Sequence, residues 1–197
     1  DTVVSNAAEF LAQLHLKSPY LKVLLEDLVH PVRHDVLSLA TNATQRDTVN
    51  RVADRILETF ADTFHGAVWA HGDSKVANYM FDPKTGELTG VIDWGTGFQP
   101  ELPGYDLSFL VVSSEASRTR TGVPDQLLKQ YRSGPPQQVC EHLTWFAAKT
   151  DLPLDDSQYR ALIGYQWMKR LAPLATEYET MRFNHHYIDR MFDAVAE

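Results

Sequence analysis

Apolar residues recur at helical spacing toward both ends of the chain and give way to short continuous runs near its middle. Val4, Ala7, Ala8, Leu11 and Leu14 fall three or four residues apart, which predicts a helix with one apolar face. After Pro19, the stretch Tyr20 to Leu28 reads as a short helix ended by Pro31, because proline disfavours helical geometry in the residue before it. Val49, Val52, Ala53, Ile56, Leu57 and Phe60 mark a second long helix, with Asp47 as its candidate N-cap.

At Gly66 the period changes. Ala67-Val68-Trp69-Ala70 is short and apolar and runs straight into His71-Gly72-Asp73, the pattern of a buried strand feeding a polar loop. Tyr79 to Phe81 and Leu88 to Trp94 are two further strands, joined by the turn-forming Asp82-Pro83-Lys84-Thr85-Gly86-Glu87, so a β-hairpin is expected. Helical spacing returns over Leu107 to Val112, Gln126 to Tyr131, Pro136 to Lys149, Ser157 to Leu171 and Thr176 to Val195, punctuated by Pro124, Gly134-Pro135-Pro136, Pro153 and Pro173. The expected fold class is α+β and predominantly α-helical, with polar loops flanking a small β insertion where chemistry would sit.

Composition narrows the function classes. The 197 residues, 44% hydrophobic, suffice for a substantial core. The formal charge of -8 argues against tracking nucleic-acid phosphates or lying on an anionic membrane, and is compatible with cationic partners. Cys140 is the single cysteine, so no internal disulfide forms and a reducing cytoplasm is the expected location. The first residues lack the basic start and apolar run of a signal peptide, and no apolar stretch approaches the ~20 residues of a membrane span. The chain starts without Met inside helical sequence, so it is expected to be a piece of a longer protein.

Asp73, Asn78 and Asp93 each stand at the edge of a predicted strand. In phosphoryl transfer to a hydroxyl, an Asp accepts the hydroxyl proton, an Asn after four intervening residues holds a metal, and a later Asp holds Mg²⁺. Mg²⁺ prefers a few carboxylate or amide oxygens completed by phosphate and water, which Asn78 and Asp93 suit. A carboxylate such as Asp73 can orient a hydroxyl and take its proton. Lys75 would place a point charge near the transferred phosphoryl group and the nucleotide.

The run from Val68 to Leu107 resembles the signature region of the aminoglycoside phosphotransferase and choline-kinase-like superfamily, through His71-Gly72-Asp73, Asn78, Ile92-Asp93-Trp94 and Tyr105-Asp106-Leu107. Asn6 to His15 is similar to the helix that follows the interlobe hinge in that family. The resemblance implies the C-terminal lobe of a protein-kinase-like fold, ATP and Mg²⁺ as cofactors, and phosphorylation of a hydroxyl on a small molecule. It also implies that Asp73 is the catalytic base, Asn78 and Asp93 are the metal ligands, and His71 and Asp106 brace the loop. Ser74-Lys75-Val76-Ala77 departs from the Leu-His-Pro-Gly type of loop interior found in many members.

No Gly-rich phosphate-covering loop or strand-borne Lys precedes the first helix, so the family's N-terminal lobe is expected upstream and residues 1–197 alone are expected to be inactive. Residues 66–107 would carry the catalytic loop, hairpin and metal-binding segment, and 108–197 a helical substrate-binding region. An aminoglycoside or amino-sugar-like acceptor is favoured. The alternatives are a non-catalytic kinase-like binding module, which the missing lobe would favour, and a metal-dependent hydrolase using Asp73 and Asp93, which lacks the ligand-rich set such enzymes need. Tyr159, Tyr165, Trp167 and Tyr178, with Glu177 and Glu179, are read as core aromatics and a solvated acidic face rather than as acceptor contacts. The adjacent His185 and His186 point in different directions on a helix and do not read as a metal site.

Overall fold

The computed structural model describes residues 2–94, 99–177, 185–193 and 195; of Thr2, Thr176, Glu177, His185, His186 and Asp193 it describes the backbone only. Among these residues the chain forms α1 (Thr2–Lys17), α2 (Leu25–Leu39), α3 (Ala43–Phe60), β1 (Val68–Ala70), β2 (Tyr79–Phe81), β3 (Leu88–Val91), β4 (Gln99–Glu101), α4 (Tyr105–Thr119), α5 (Val123–Ser133), α6 (Cys140–Thr150), α7 (Asp156–Glu177) and α8 (His185–Asp193). It is mostly helical, with two small antiparallel sheets, as the α+β reading expected.

The helical layer is organised around α7, which packs against α2, α3 and α5. Tyr159, Leu162, Ile163, Trp167 and Met168 are buried along it, facing Val29 and Val36 of α2 and Val52 and Ile56 of α3 within one apolar core. Each such side chain contributes about 1.5–3 kcal/mol when fully withdrawn from water. Tyr159, Tyr165 and Trp167 are therefore core residues, and the Trp167 indole N–H is satisfied by the Met191 carbonyl of α8 at 2.5 Å.

Three local expectations are corrected. The second helix does not span 20–28 and stop before Pro31; it begins at Leu25 and passes through Pro31 to Leu39. Burial of Val29, Val36 and Leu39 on one face outweighs the lost backbone hydrogen bond, and the proline ring itself faces solvent. The cap of α3 is Asn42, whose side chain accepts from the Gln45 amide at 2.9 Å, rather than Asp47, which lies a turn inside the helix. Pro173 likewise does not end its helix, since α7 continues to Glu177. Tyr178 and Glu179, and the side chains of Glu177, His185 and His186, lie outside the described residues, as does much of the helix expected from Thr176.

The expected hairpin is β2–β3, with Tyr79 opposite Val91 and Met80 opposite Gly90. The strand β1 pairs antiparallel with β4, Val68 facing Glu101 and Ala70 facing Gln99. Sequence pattern did not reveal β4, because Gln99-Pro100-Glu101 is polar and carries a proline at its centre, which marks a non-strand unless the residue sits at a sheet edge.

Candidate functional site

The loop after β1 is fastened from below and behind. Gly104, at φ 84, makes the left-handed turn that starts α4, and a Cβ there would stand 3.0 Å from Leu162 Cδ1. That turn sets Asp106 in the first turn of α4, beneath the loop. Its carboxylate accepts the His71 amide at 2.6 Å on Oδ2 and the Gly72 amide at 3.0 Å on Oδ1. Gly72 also needs its glycine, because its φ of 84 turns the chain sharply between His71 and Asp73.

The His71 ring is fully buried and carries the next link. Its Nε2 lies 2.9 Å from the Ile92 carbonyl, and its Nδ1 lies 3.3 Å from the Asp73 amide. A carbonyl can only accept and an amide N–H can only donate, so the proton sits on Nε2 and Nδ1 carries a lone pair. Trp94 packs on this ring at 4.5 Å between centroids, and Tyr79 stacks at 6.5 Å. The Tyr79 hydroxyl is hydrogen-bonded to Ser74, which ties the loop to the hairpin.

Around Asp73 the polar side chains converge. Lys75 Nζ donates to Asp73 Oδ2 at 2.7 Å and stands 3.9 Å from Asp93 Oδ2. Asn78 donates through Nδ2 to the Asp73 carbonyl at 2.8 Å and to Oδ2 at 3.2 Å, leaving its amide oxygen as the atom able to bind a cation. The Ile92 amide donates to the Asn78 carbonyl at 2.9 Å, so the residue before Asp93 is bonded directly to the loop. Asp93 itself adopts φ 63, a left-handed conformation that Asp tolerates better than most residues, and its side chain is 60% exposed.

Burial pushes the Asp106 carboxyl up to about 6, against the His71 and Gly72 amides that pull it down. Burial also raises Glu101, opposed by Lys169 and Tyr165. Lys169 Nζ is 2.6 Å from Glu101 Oε1, and the Tyr165 hydroxyl donates to Oε2 at 2.9 Å. This ion pair of buried Glu101 and half-buried Lys169 forms one wall of a cleft of about 360 Å³ that Asp35, Gly72, Gln99 and Pro173 also line, directly beside the Asp73 loop. The volume lies within the range of small-molecule sites.

The six residues singled out in the sequence thus meet in space: Asp73, Lys75, Asn78 and Asp93 on one surface, with His71 and Asp106 behind it. Tyr159, Tyr165 and Trp167 are not on that surface. Sequence reasoning missed a second group: Glu101, Lys169 and Arg170, whose Nη2 lies 3.8 Å from Asp73 Oδ1. The available signal was the pair of adjacent cations between Met168 and Leu171 in an otherwise apolar helical stretch. Among the described residues no helix is long and apolar enough to cross a membrane, and no group of three His, Cys, Asp or Glu side chains clusters as a metal site.

The family model described as "Phosphotransferase enzyme family" matches residues 1–142. No curated protein matches the chain. Among solved structures, the fold is similar to that of aminoglycoside phosphotransferase APH(3'')-Id from Streptomyces rimosus, with a TM-score of 0.54 and 22% identity. That likeness covers 85% of this chain and 62% of the other, so the chain spans less than two thirds of that enzyme's length.

Proposed function

Because the chain belongs to the phosphotransferase enzyme family, we propose that it is the catalytic part of an ATP- and Mg²⁺-dependent kinase that phosphorylates a hydroxyl of a small molecule. The observation that carries this reading is the position of Lys75, within 2.7 Å of Asp73 and 3.9 Å of Asp93. A cation between two carboxylates that stand twenty residues apart in sequence marks a point where charge from a transferring phosphoryl group would be balanced.

On this reading Asp73 orients the acceptor hydroxyl and takes its proton late in the transfer. The amide oxygen of Asn78 and the carboxylate of Asp93 would hold Mg²⁺. Two protein ligands suit this ion, which keeps waters and substrate phosphates in the rest of its shell. Bound there, Mg²⁺ would neutralise phosphate oxygens of the nucleotide. Met80 and Ile92, 52% and 47% exposed, supply an apolar ledge for the base. Met80 faces Gly90 across the hairpin and Ile92 lies two residues beyond Gly90, so both share one face.

Residues 1–197 would form the C-terminal lobe, the phosphate-covering loop and strand-borne Lys coming from sequence outside it. Residues 66–107 would carry the phosphoryl-transfer apparatus and 108–197 much of the acceptor side. The net charge of -8 and the carboxylate of Asp35 at the cleft favour an aminated acceptor of aminoglycoside or amino-sugar type. The test is ATP consumption by the full-length protein against a panel of aminoglycosides and other hydroxylated amines. Asp73→Asn is expected to lower turnover by roughly 10²- to 10⁴-fold while Mg-ATP binding persists. Unchanged turnover in that variant overturns the reading, and ligand binding without transfer in the wild type favours a kinase-like binding module instead.

A further inference from the structure

We infer that Arg170, delivered from α7, is a positioning residue for Asp73: it balances the carboxylate's charge on the Oδ1 side while leaving that oxygen able to accept a hydrogen bond from the acceptor. The inference rests on the proposed role of Asp73 as the proton acceptor.

The two oxygens of Asp73 are treated differently. Oδ2 is taken by direct hydrogen bonds from Lys75 at 2.7 Å and Asn78 at 3.2 Å. Oδ1 faces the Arg170 Nη2 at 3.8 Å, beyond hydrogen-bond distance but within reach of Coulomb attraction. A donor at 2.8 Å would cap the oxygen that must receive the acceptor's proton. A cation held one ångström farther away favours the carboxylate in the same place without occupying it.

Arg170 is built to stay at that distance. Its guanidinium carbon sits 3.7 Å above the centroid of the Phe109 ring, a cation–π stack that fixes the plane of the group. Phe109 is itself 2% exposed and belongs to the apolar core. The Arg170 Nε is buried and has no hydrogen-bond partner among the described residues. An orphaned buried donor is destabilising, and a solvated arginine could avoid that cost by turning outward. Its retention is explained if the position of the guanidinium matters more than the satisfaction of Nε.

The arrangement also gives α7 two roles at the site. Lys169 pairs with Glu101 in the wall of the cleft, and the next residue, Arg170, meets Asp73. If Lys75 engages the phosphoryl group during transfer, Asp73 loses its nearest cation at that moment, and Arg170 is the second positive charge beside it. A lysine at 170 would preserve the charge but not the planar stack on Phe109.

The experiment is steady-state kinetics of the full-length protein with Mg-ATP and the aminoglycoside panel, comparing wild type with Arg170→Met, Arg170→Lys and Phe109→Leu. Arg170→Met is expected to lower kcat by roughly 10- to 100-fold, the scale of a small misplacement at a reacting centre, with the nucleotide KM within about twofold of wild type. Arg170→Lys is expected to recover part of that loss. Phe109→Leu, which keeps the arginine but removes its platform, is expected to lower kcat by a smaller factor, and it carries the test if Arg170→Met does not fold. Wild-type kcat in folded Arg170→Met, or in Phe109→Leu when the first does not fold, overturns this inference while leaving the kinase reading intact. A wild-type protein that transfers no phosphate to any acceptor overturns both.

Discussion

The Nε2 proton of His71 is donated to the carbonyl oxygen of Ile92 across 2.9 Å, joining the residue that opens the Asp73 loop to the residue that precedes Asp93. The same ring accepts the Asp73 amide at Nδ1, so one side chain sets the separation of the two carboxylates. His71→Phe keeps a flat ring in the pocket against Trp94 but leaves both backbone groups unpaired. We expect a loss of about 2 kcal/mol or more in unfolding free energy, together with a fall in kcat. Denaturant unfolding and kinetics on the same preparation check this. A fall in kcat with unchanged stability would show that the ring acts in some other way than as a brace.

Asp106 gives a pH-dependent signature. Burial raises its carboxyl to about 6 from an ordinary value of 3.8, so the folded state holds the proton more tightly than the unfolded chain. Its contribution to stability is therefore fully present below about 3.8 and is lost as pH rises through about 6. Asp106→Asn removes this titration and also puts an amide donor against one of the two loop amides. We expect the variant to be less stable near neutral pH and to lack the part of the decline between pH 4 and 6 that wild type owes to this group. Melting temperature against pH for both proteins is the measurement, and parallel curves across that window would count against it.

Glu101 is buried and pairs with the half-buried Lys169 at the cleft, and breaking a pair with a buried partner costs more than the pair is worth. Glu101→Gln strands the ammonium of Lys169 and takes a charged acceptor from the Tyr165 hydroxyl. We expect a loss of about 3 kcal/mol, moderated because Lys169 keeps 25% of its side chain in water. Adding Lys169→Met should restore part of it. Thermal unfolding of the two single variants and the double variant measures the coupling, and strictly additive losses would refute it.

Pro31 lies inside α2 with its ring toward solvent. Alanine there regains a backbone donor. A helix-interior proline is about 3 kcal/mol less favourable than alanine, and the stiffer unfolded chain returns up to about 1 of that. Pro31→Ala should stabilise the protein by about 2 kcal/mol, seen as a higher urea midpoint at constant slope.

The sequence determined the order of helical and strand segments and the residue types of the site. Helical spacing marked α1 and α3 because each keeps one apolar face throughout its length, and the apolar run into His71-Gly72-Asp73 marked β1. The Asp-to-Asn interval and Ile92-Asp93-Trp94 were legible because loop chemistry is local and leaves its residues close together in sequence. The path of α2 and α7 through their prolines was not legible, since packing on the shared core outweighs a local preference that no window of sequence can weigh against it. Strand β4 escaped notice for a related reason: a polar tripeptide becomes a strand only when β1 is there to pair with it. Tertiary structure alone decided that Glu101, Lys169 and Arg170 reach the site, because their partners stand 68 residues away for one pair and 97 for the other (169 − 101 and 170 − 73). Contacts of that range are made by helix packing, and the identity of a residue does not encode which distant loop its helix will lie against.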